Sequence, residues 1–396
     1  MPQHDVIVVG AGPAGATAAR RLAQAGARVR VLERARFPRN KPCGGAISVR
    51  VGRRFPYLAA ALPGIVTHEI AKLYLEGPEG DVLRLESDGP AVLMIRRLEF
   101  DDLLRRLAVD AGADLTEGIA ITQATATGDG VELRDGAGRV HRARILIAAD
   151  GVNSVVARRL GLNPGWPAGA VALDMMEETP AASLASADPS VLWVFYGYGR
   201  SHGYAYVFPK RDHVNVGIGY LLSYFRAEVS DAPYALHERF IGQLRDRGLL
   251  HGGSRREHFT PFLIPVGGPL RRTAAGRVLL AGDAGGFVNG FTAEGIYYAM
   301  VSGDLAAGAV LAGSGDADGL GRRYERAWRR EIGVELRDSV LVQRHLFADE
   351  RRVAAVIEGA RLYPHLTNAV VEYARGRLTF RSEMPATNYE DGGIAA

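Results

Sequence analysis

Cysteine is almost missing from this chain of 396 residues: Cys43 stands alone, so no internal disulfide can form. A reducing compartment, the cytoplasm, is the expected setting. Lysine is nearly as scarce. It occurs only at positions 41, 72 and 210, and arginine carries almost all the basic charge. No excess of one sign results, because 48 basic residues face 44 acidic ones for a net charge of +4. The arginines are interleaved with acids rather than gathered into a stripe, which argues against a nucleic-acid partner. No apolar run reaches the roughly eighteen residues of a membrane-spanning helix. Internal repeats and long low-complexity linkers are also missing, and no metal site is expected. The chain enters its first strand within five residues, so no signal peptide is expected either. What remains is a composition 47% hydrophobic and 23% charged. That suffices for a large core and about two to three domains.

Three short segments carry the chemistry. Gly10-Ala11-Gly12-Pro13-Ala14-Gly15 follows the apolar run of residues 5–9 and precedes a good helix former, residues 16–25. A lone GxGxxG is weak evidence, but here strand and helix flank it as the mechanism requires. The glycines permit a tight turn, close approach of a pyrophosphate to backbone N–H groups, and tight helix–strand packing. The positive end of the helix then faces the phosphates. A second strand, residues 28–32, ends at Glu33 beside Arg34. A carboxylate there suits an adenosine ribose hydroxyl. Residues 144–151 form another apolar strand ending in Asp150-Gly151, and residues 278–283 repeat the design, ending in Gly282-Asp283. A dinucleotide dehydrogenase has no need of these two later elements. A flavoprotein does, to hold the ribityl chain and isoalloxazine ring far from the first loop, so FAD is the expected cofactor.

The middle of the chain alternates with period two, the mark of half-buried antiparallel strands. Trp193 and Phe195 share one face of a strand, Tyr204, Tyr206 and Phe208 a face of the next, and Val214, Val216, Ile218 and Tyr220 a face of the third. The aromatic groups are expected to wall an apolar substrate pocket, although for each alone an ordinary core position is the commoner case. His202 and His213 fall in turns and are expected to face solvent. The expected fold is α/β: a Rossmann-type FAD-binding domain (residues 1–68, 96–165 and 268–330) with an inserted antiparallel β-sheet substrate domain (69–95 and 166–267). Residues 331–396 are expected to form a C-terminal helical cap and tail, the last dozen disordered.

Taken together, the three segments resemble those of the flavoprotein hydroxylase superfamily, the fold of p-hydroxybenzoate hydroxylase. That resemblance implies that Asp283 faces the ribityl and phosphate oxygens and that Asp150 lies near the cofactor junction. The loop at residues 37–47, with its run Lys41-Pro42-Cys43-Gly44-Gly45-Ala46-Ile47, is similar to that of the geranylgeranyl reductase family, which saturates isoprenoid double bonds. Arg97-Leu98-Glu99-Phe100-Asp101 with Leu104, the strand Tyr204-Ala205-Tyr206-Val207-Phe208-Pro209-Lys210, and residues 282–296 resemble further segments of that family in the same order. The departures are Tyr206 for tryptophan, Gly290 for proline and Ala293 for glycine. A halogenase would carry two tryptophans where Gly203 to Pro209 reads GYAYVFP, which argues against halogenation.

The resemblance implies a reductase of carbon–carbon double bonds in a hydrophobic isoprenoid or polyene. Hydride would come from flavin N5, with Cys43 as candidate proton donor or relay and Tyr206 and Tyr204 as weaker ones. Gly44, Gly45, Ala46 and Arg97 would lie against the flavin, with the helix start at Gly295 and Ile296 facing its pyrimidine edge. The alternative is an FAD-dependent monooxygenase of an apolar or aromatic molecule. Electrons would come from NADPH or ferredoxin. Arg322-Arg323, Arg329-Arg330 and Arg351-Arg352 are either a surface for such an acidic partner or, as is commoner, solvated helix faces. The tail either caps a substrate tunnel, lies on a membrane surface, or packs on the core.

Overall fold

The computed structural model describes residues 4–65, 67–198, 203–313 and 317–363. His202 and the last dozen residues, expected in a solvent-facing turn and a disordered tail, lie outside the described residues.

Five parallel strands centre the first sheet, in the order Val278–Leu280, Val140–Ala148, His4–Val9, Val29–Glu33 and Asp114–Glu117. Their apolar runs are nearly continuous because both faces are covered. Val6, Val8, Val31 and Ile147 pack under the helices Pro13–Gln24, Arg97–Asp110 and Ile296–Leu311. The alternate residues Ile7, Val9, Leu146 and Leu280 pack under the antiparallel strands Ile121–Ala126 and Val131–Asp135 and the helix Val155–Arg159. The first and third of the covering helices touch at backbone level, since a Cβ on Gly303 would lie 2.1 Å from the carbonyl oxygen of Ala14.

The second sheet has seven strands, ordered Phe259–Ile264, Ala172–Pro180, His213–Leu221, Gly203–Pro209, Val191–Tyr196, Lys72–Glu76 and Val82–Glu86. All neighbours are antiparallel except Val191–Tyr196 with Lys72–Glu76. One face packs on the helix Pro233–Asp246. The other turns towards the helices Val334–Leu346 and Glu350–Leu362. A third sheet, of strands Ala46–Ser48, Val92–Ile95 and Thr67–Ile70, carries the chain on from the cysteine loop. His213 is not the exposed residue expected: its side chain is 14% exposed and its Nδ1 lies 2.9 Å from Asp212. Among the described residues, no helix is long and apolar enough to cross a membrane, and no cluster of His, Cys, Asp or Glu could hold a metal ion.

Candidate active site

Two of the three glycines in the first loop are demanded by packing, the third by space. Gly10 has φ +97° and a Cβ there would sit 2.3 Å from the Ala149 carbonyl oxygen. On Gly15 it would sit 1.9 Å from the Gly10 oxygen. A Cβ on Gly12 would meet only an Arg39 nitrogen, at 3.6 Å. The backbone above Gly12 is therefore open, at the start of a helix whose first turn no described side chain caps. Glu33 reaches back to this loop, accepting from the Ala11 N–H at 2.7 Å and from the Ala35 N–H at 2.9 Å. Gly12, Pro13, Ala14, Glu33 and Arg34 line the end of one large cavity.

The two later loops meet the same cavity. Asp150 lines it, but its carboxylate serves the next helix: it accepts from Ser154 Oγ at 2.6 Å and from the Val155 N–H at 2.8 Å. Asp283 leaves its strand in a one-turn helix, Gly282–Gly285, and faces Lys41 Nζ at 3.7 Å. The helix start at Gly295 and Ile296 forms the adjoining wall. Just before it, Ala293 is the one non-glycine of the described residues with positive φ, at +57°. Asn289 holds that turn, its Oδ1 accepting from the N–H groups of Phe291 and Thr292 at 3.0 Å each.

The cysteine loop lies flat on the second sheet. A Cβ on Gly44 would be 2.8 Å from the Phe208 ring, and one on Gly45 (φ +77°) would be 2.1 Å from the Ile95 carbonyl oxygen. Asn215 Nδ2 donates to the Cys43 carbonyl at 3.1 Å. Arg97, buried, grips Asp101 through two bonds of 2.7 Å. Burial opposes both charges of this pair. Their mutual attraction outweighs it, holding the carboxyl below and the guanidinium above their ordinary values.

Tyr204, Tyr206 and Phe208 line the cavity as expected, but Trp193 and Phe195 do not. Val194 pairs with Tyr206 and Tyr196 with Tyr204, so the even-numbered residues of that strand share the cavity face. Trp193 and Phe195 stack on the opposite face, where Phe195 meets Phe240 edge-on at 5.6 Å. Leu192, Val194 and Tyr196 take their place in the wall. Likewise the third strand turns Val214, Val216, Ile218 and Tyr220 away. It presents Gly217 and Gly219 beneath the phenol rings, where a Cβ would lie 2.3 Å from Tyr206 and 3.0 Å from Tyr204.

Asp174 was not among the expected site residues. On the strand Ala172–Pro180 it lies in register between Gly219 and Phe262, 5% exposed, with the Tyr206 hydroxyl donating to it at 3.2 Å. Burial pushes its carboxyl up to about 7, against the Tyr206 hydrogen bond and the charge of Lys41. A lone carboxylate in the apolar run Val171-Ala172-Leu173-Asp174-Met175-Met176 was the signal available. Of the placements weighed for the C-terminal helices, the structure has them line the cavity, through Val342, Leu346, Phe347, Val353 and Ile357.

The cavity so enclosed measures about 1030 Å³, at the top of the usual ligand-pocket range. Its polar end suits a dinucleotide: an open cradle at Gly12, an uncapped helix start and a carboxylate at the tip of the second strand. The wall between the second sheet and the C-terminal helices is mainly apolar, with Asp174 and the phenols of Tyr196, Tyr204 and Tyr206 set into it. A family model described as an FAD binding domain matches residues 3–322. Digeranylgeranylglycerophospholipid reductase 2 of Methanothermobacter thermautotrophicus is 32% identical, covering 85% of this chain and 86% of that protein. Menaquinone reductase of Mycobacterium tuberculosis is also 32% identical, covering 76% and 75%. A geranylgeranyl bacteriochlorophyll reductase-like protein of Thermoplasma acidophilum superposes with a TM-score of 0.77 at 20% identity, over 90% of each chain. A flavin-dependent brominase superposes at 0.75 and 18%, over 94% and 93%. At such identities a superposition speaks for the fold alone; the reductases and the family model carry further, and the chain belongs to the geranylgeranyl reductase family of FAD-dependent oxidoreductases.

Proposed function

We propose that this protein saturates carbon–carbon double bonds of a hydrophobic isoprenoid or polyene. The observation that carries the reading is that one cavity is lined at once by the dinucleotide cradle at Gly12 and Glu33, by the Cys43 loop, and by apolar side chains such as Leu73, Leu85, Val194 and Ile357. The reductases similar to this chain, named for digeranylgeranylglycerophospholipid and menaquinone, support it. Gly12, Pro13, Ala14 and Glu33 would hold the adenosine diphosphate half of FAD, and Asp283, Gly295 and Ile296 the flavin half. When bound and reduced, FAD supplies the hydride.

This chain's own residues position the alkene and handle the proton. An apolar chain would thread between Leu73, Leu75 and Leu85 of the sheet and Phe347 and Ile357 of the closing helices. Cys43 is the candidate donor or relay beside the flavin, carried by a loop whose Cys43 carbonyl Asn215 holds. Val356, 50% exposed, lines the cavity, and Leu341, Leu362 and Tyr363 of the same C-terminal segment are exposed apolar or aromatic residues. Entry of a lipid from a membrane surface at this end is part of the proposal. The electron donor is NADPH or ferredoxin.

The test is a pair of incubations, anaerobic and aerobic, of the chemically reduced holoenzyme with prenyl lipids, read by mass spectrometry. A gain of two hydrogens per double bond without oxygen is the expected result. A gain of oxygen only in air would replace the reading with a monooxygenase. Cys43→Ala should retain FAD; alkene reduction slowed roughly 100-fold, the usual range for losing a positioned acid, would keep Cys43 as the proton source, and unchanged turnover would remove it from proton transfer.

A further inference from the structure

Resting on that reading of the reaction but replacing Cys43 as the source of the proton, we infer that Asp174 is the acid of the chamber, delivering the alkene's proton through the hydroxyl of Tyr206. The two side chains meet on the cavity face of the second sheet, Tyr206 donating to Asp174 at 3.2 Å. The contact is built by what surrounds it. Gly219, opposite Asp174, and Gly217, opposite Tyr206, carry no side chains, so the phenol rings lie down on the sheet and reach the strand beyond. Gly44 of the cysteine loop backs onto the same ring, its would-be Cβ 3.5 Å from Tyr206 Cε2. The pair therefore sits at the junction of the cysteine loop and the apolar chamber.

The chemistry asks for such a group. Saturation breaks the π bond and forms two C–H bonds. One carbon takes a hydride, with both electrons, from the reduced flavin, which is oxidised; the other takes a proton. An unactivated alkene accepts hydride poorly, so the proton must come from an acid at hand. Tyr206 alone does not qualify, because burial and then the Asp174 charge lift its phenol well above 10. Coupled to Asp174 it does: as the phenol O–H proton passes to carbon, the carboxyl O–H proton replaces it. The carboxylate left behind is reprotonated from water before the next cycle. A carboxyl raised to about 7 keeps a large protonated fraction at neutral pH and still releases its proton readily. The groups facing Asp174 are Tyr204 and Tyr206 from the next strand but one and Lys41 from the cysteine loop, with Cys43 beside the phenols. Lys41 is itself paired with Asp283 at 3.7 Å and stands over Phe262 at 4.3 Å.

The experiment is a pH series of single-turnover prenyl reduction by reduced holoenzyme, with wild type, Asp174→Asn, Asp174→Glu and Tyr206→Phe. Wild type should slow above a midpoint near 7. Asp174→Asn should be slower by roughly 100-fold and lose the inflection, and Asp174→Glu should restore it. Tyr206→Phe, which keeps the acid but cuts its path, should slow the step. Independently of turnover, the resting holoenzyme minus Asp174→Asn should show one infrared carboxylic-acid band titrating near neutrality. That subtraction separates it from Asp150 and Glu294, whose carboxyls burial also raises. A wild-type pH profile in Asp174→Asn, or no such band, overturns the assignment. Should Asp174→Asn not fold, an unaltered rate and profile in Tyr206→Phe overturns it instead. Wild type that reduces no prenyl lipid at all overturns the function reading first and this one with it.

Discussion

At the scale of single residues, two positions carry an energetic cost that can be measured. Asp174 ionises near 4 in an unfolded chain and near 7 in the folded one. Between those values the folded state keeps a proton that the unfolded chain has released. Stability therefore falls as pH rises through that window and levels off above it, a penalty of roughly 4 kcal/mol by pH 8. Asp174→Asn should consequently be stabilised relative to wild type at about pH 8 far more than at about pH 5, measured by urea unfolding. An equal difference at both pH values would mean that Asp174 titrates normally. Ala293, at φ +57°, bears the strain of a left-handed conformation. Ala293→Gly should raise stability by up to about 1 kcal/mol, read as a higher melting temperature; a lower one would show the methyl group is needed by its surroundings. The departure from glycine at 293 was visible in the sequence. Its strain was not, because φ is set by the Asn289 clamp two bonds of 3.0 Å wide.

At the scale of elements, legibility depended on period. The parallel strands could be read because both of their faces are buried and nothing about facing had to be decided. The antiparallel strands could be read only up to parity: alternation says that Trp193 and Phe195 share a face, not which face. Both sides of that sheet are covered, one by the helix Pro233–Asp246 and one by the cavity and C-terminal helices, so aromatic content could not decide between them. Glycines in helices are the complementary case. Gly303 sits mid-helix, where propensity alone disfavours it, yet the backbone of Ala14 leaves no room for more. Gly303→Ala should push this helix off the phosphate-loop helix at a cost of about 1–3 kcal/mol and weaken FAD retention with it. The ratio of flavin absorbance to protein, taken beside a melting curve, checks both. A stable, fully yellow variant would mean that the two helices part without disturbing the cradle.

At the scale of the whole molecule, the cavity belongs to no single stretch of chain. Lys41 meets Asp283, Arg50 bridges Glu294 and Glu335 at 3.3 and 2.8 Å, and Arg361 pairs with Asp81. The flavin end was legible because its three loops follow strands, and strand ends fix where a loop must lie. The helical cap was legible only as one of three alternatives, because helices Val334–Leu346 and Glu350–Leu362 have ordinary amphipathic spacing that names no partner. Asp283→Ala should give nearly colourless protein with the fold otherwise intact by circular dichroism, and full flavin absorbance would contradict its assignment to the cofactor. Phe208→Ala, by removing a ring that fills the space beside Gly44, should shift preference among prenyl chain lengths in a competition assay.

The pair Gly217 and Gly219 gives the chamber a property that its lining residues do not advertise. Neither glycine bounds the cavity, yet each sets how deep a tyrosine lies above it. A methyl group at 219, 3.0 Å from the Tyr204 ring, would lift that ring by a few tenths of an ångström into the chamber. Gauge is thus written on a strand that no substrate touches. In divergence or in directed evolution, substrate length could be retuned from behind the wall, leaving every contacting residue unchanged.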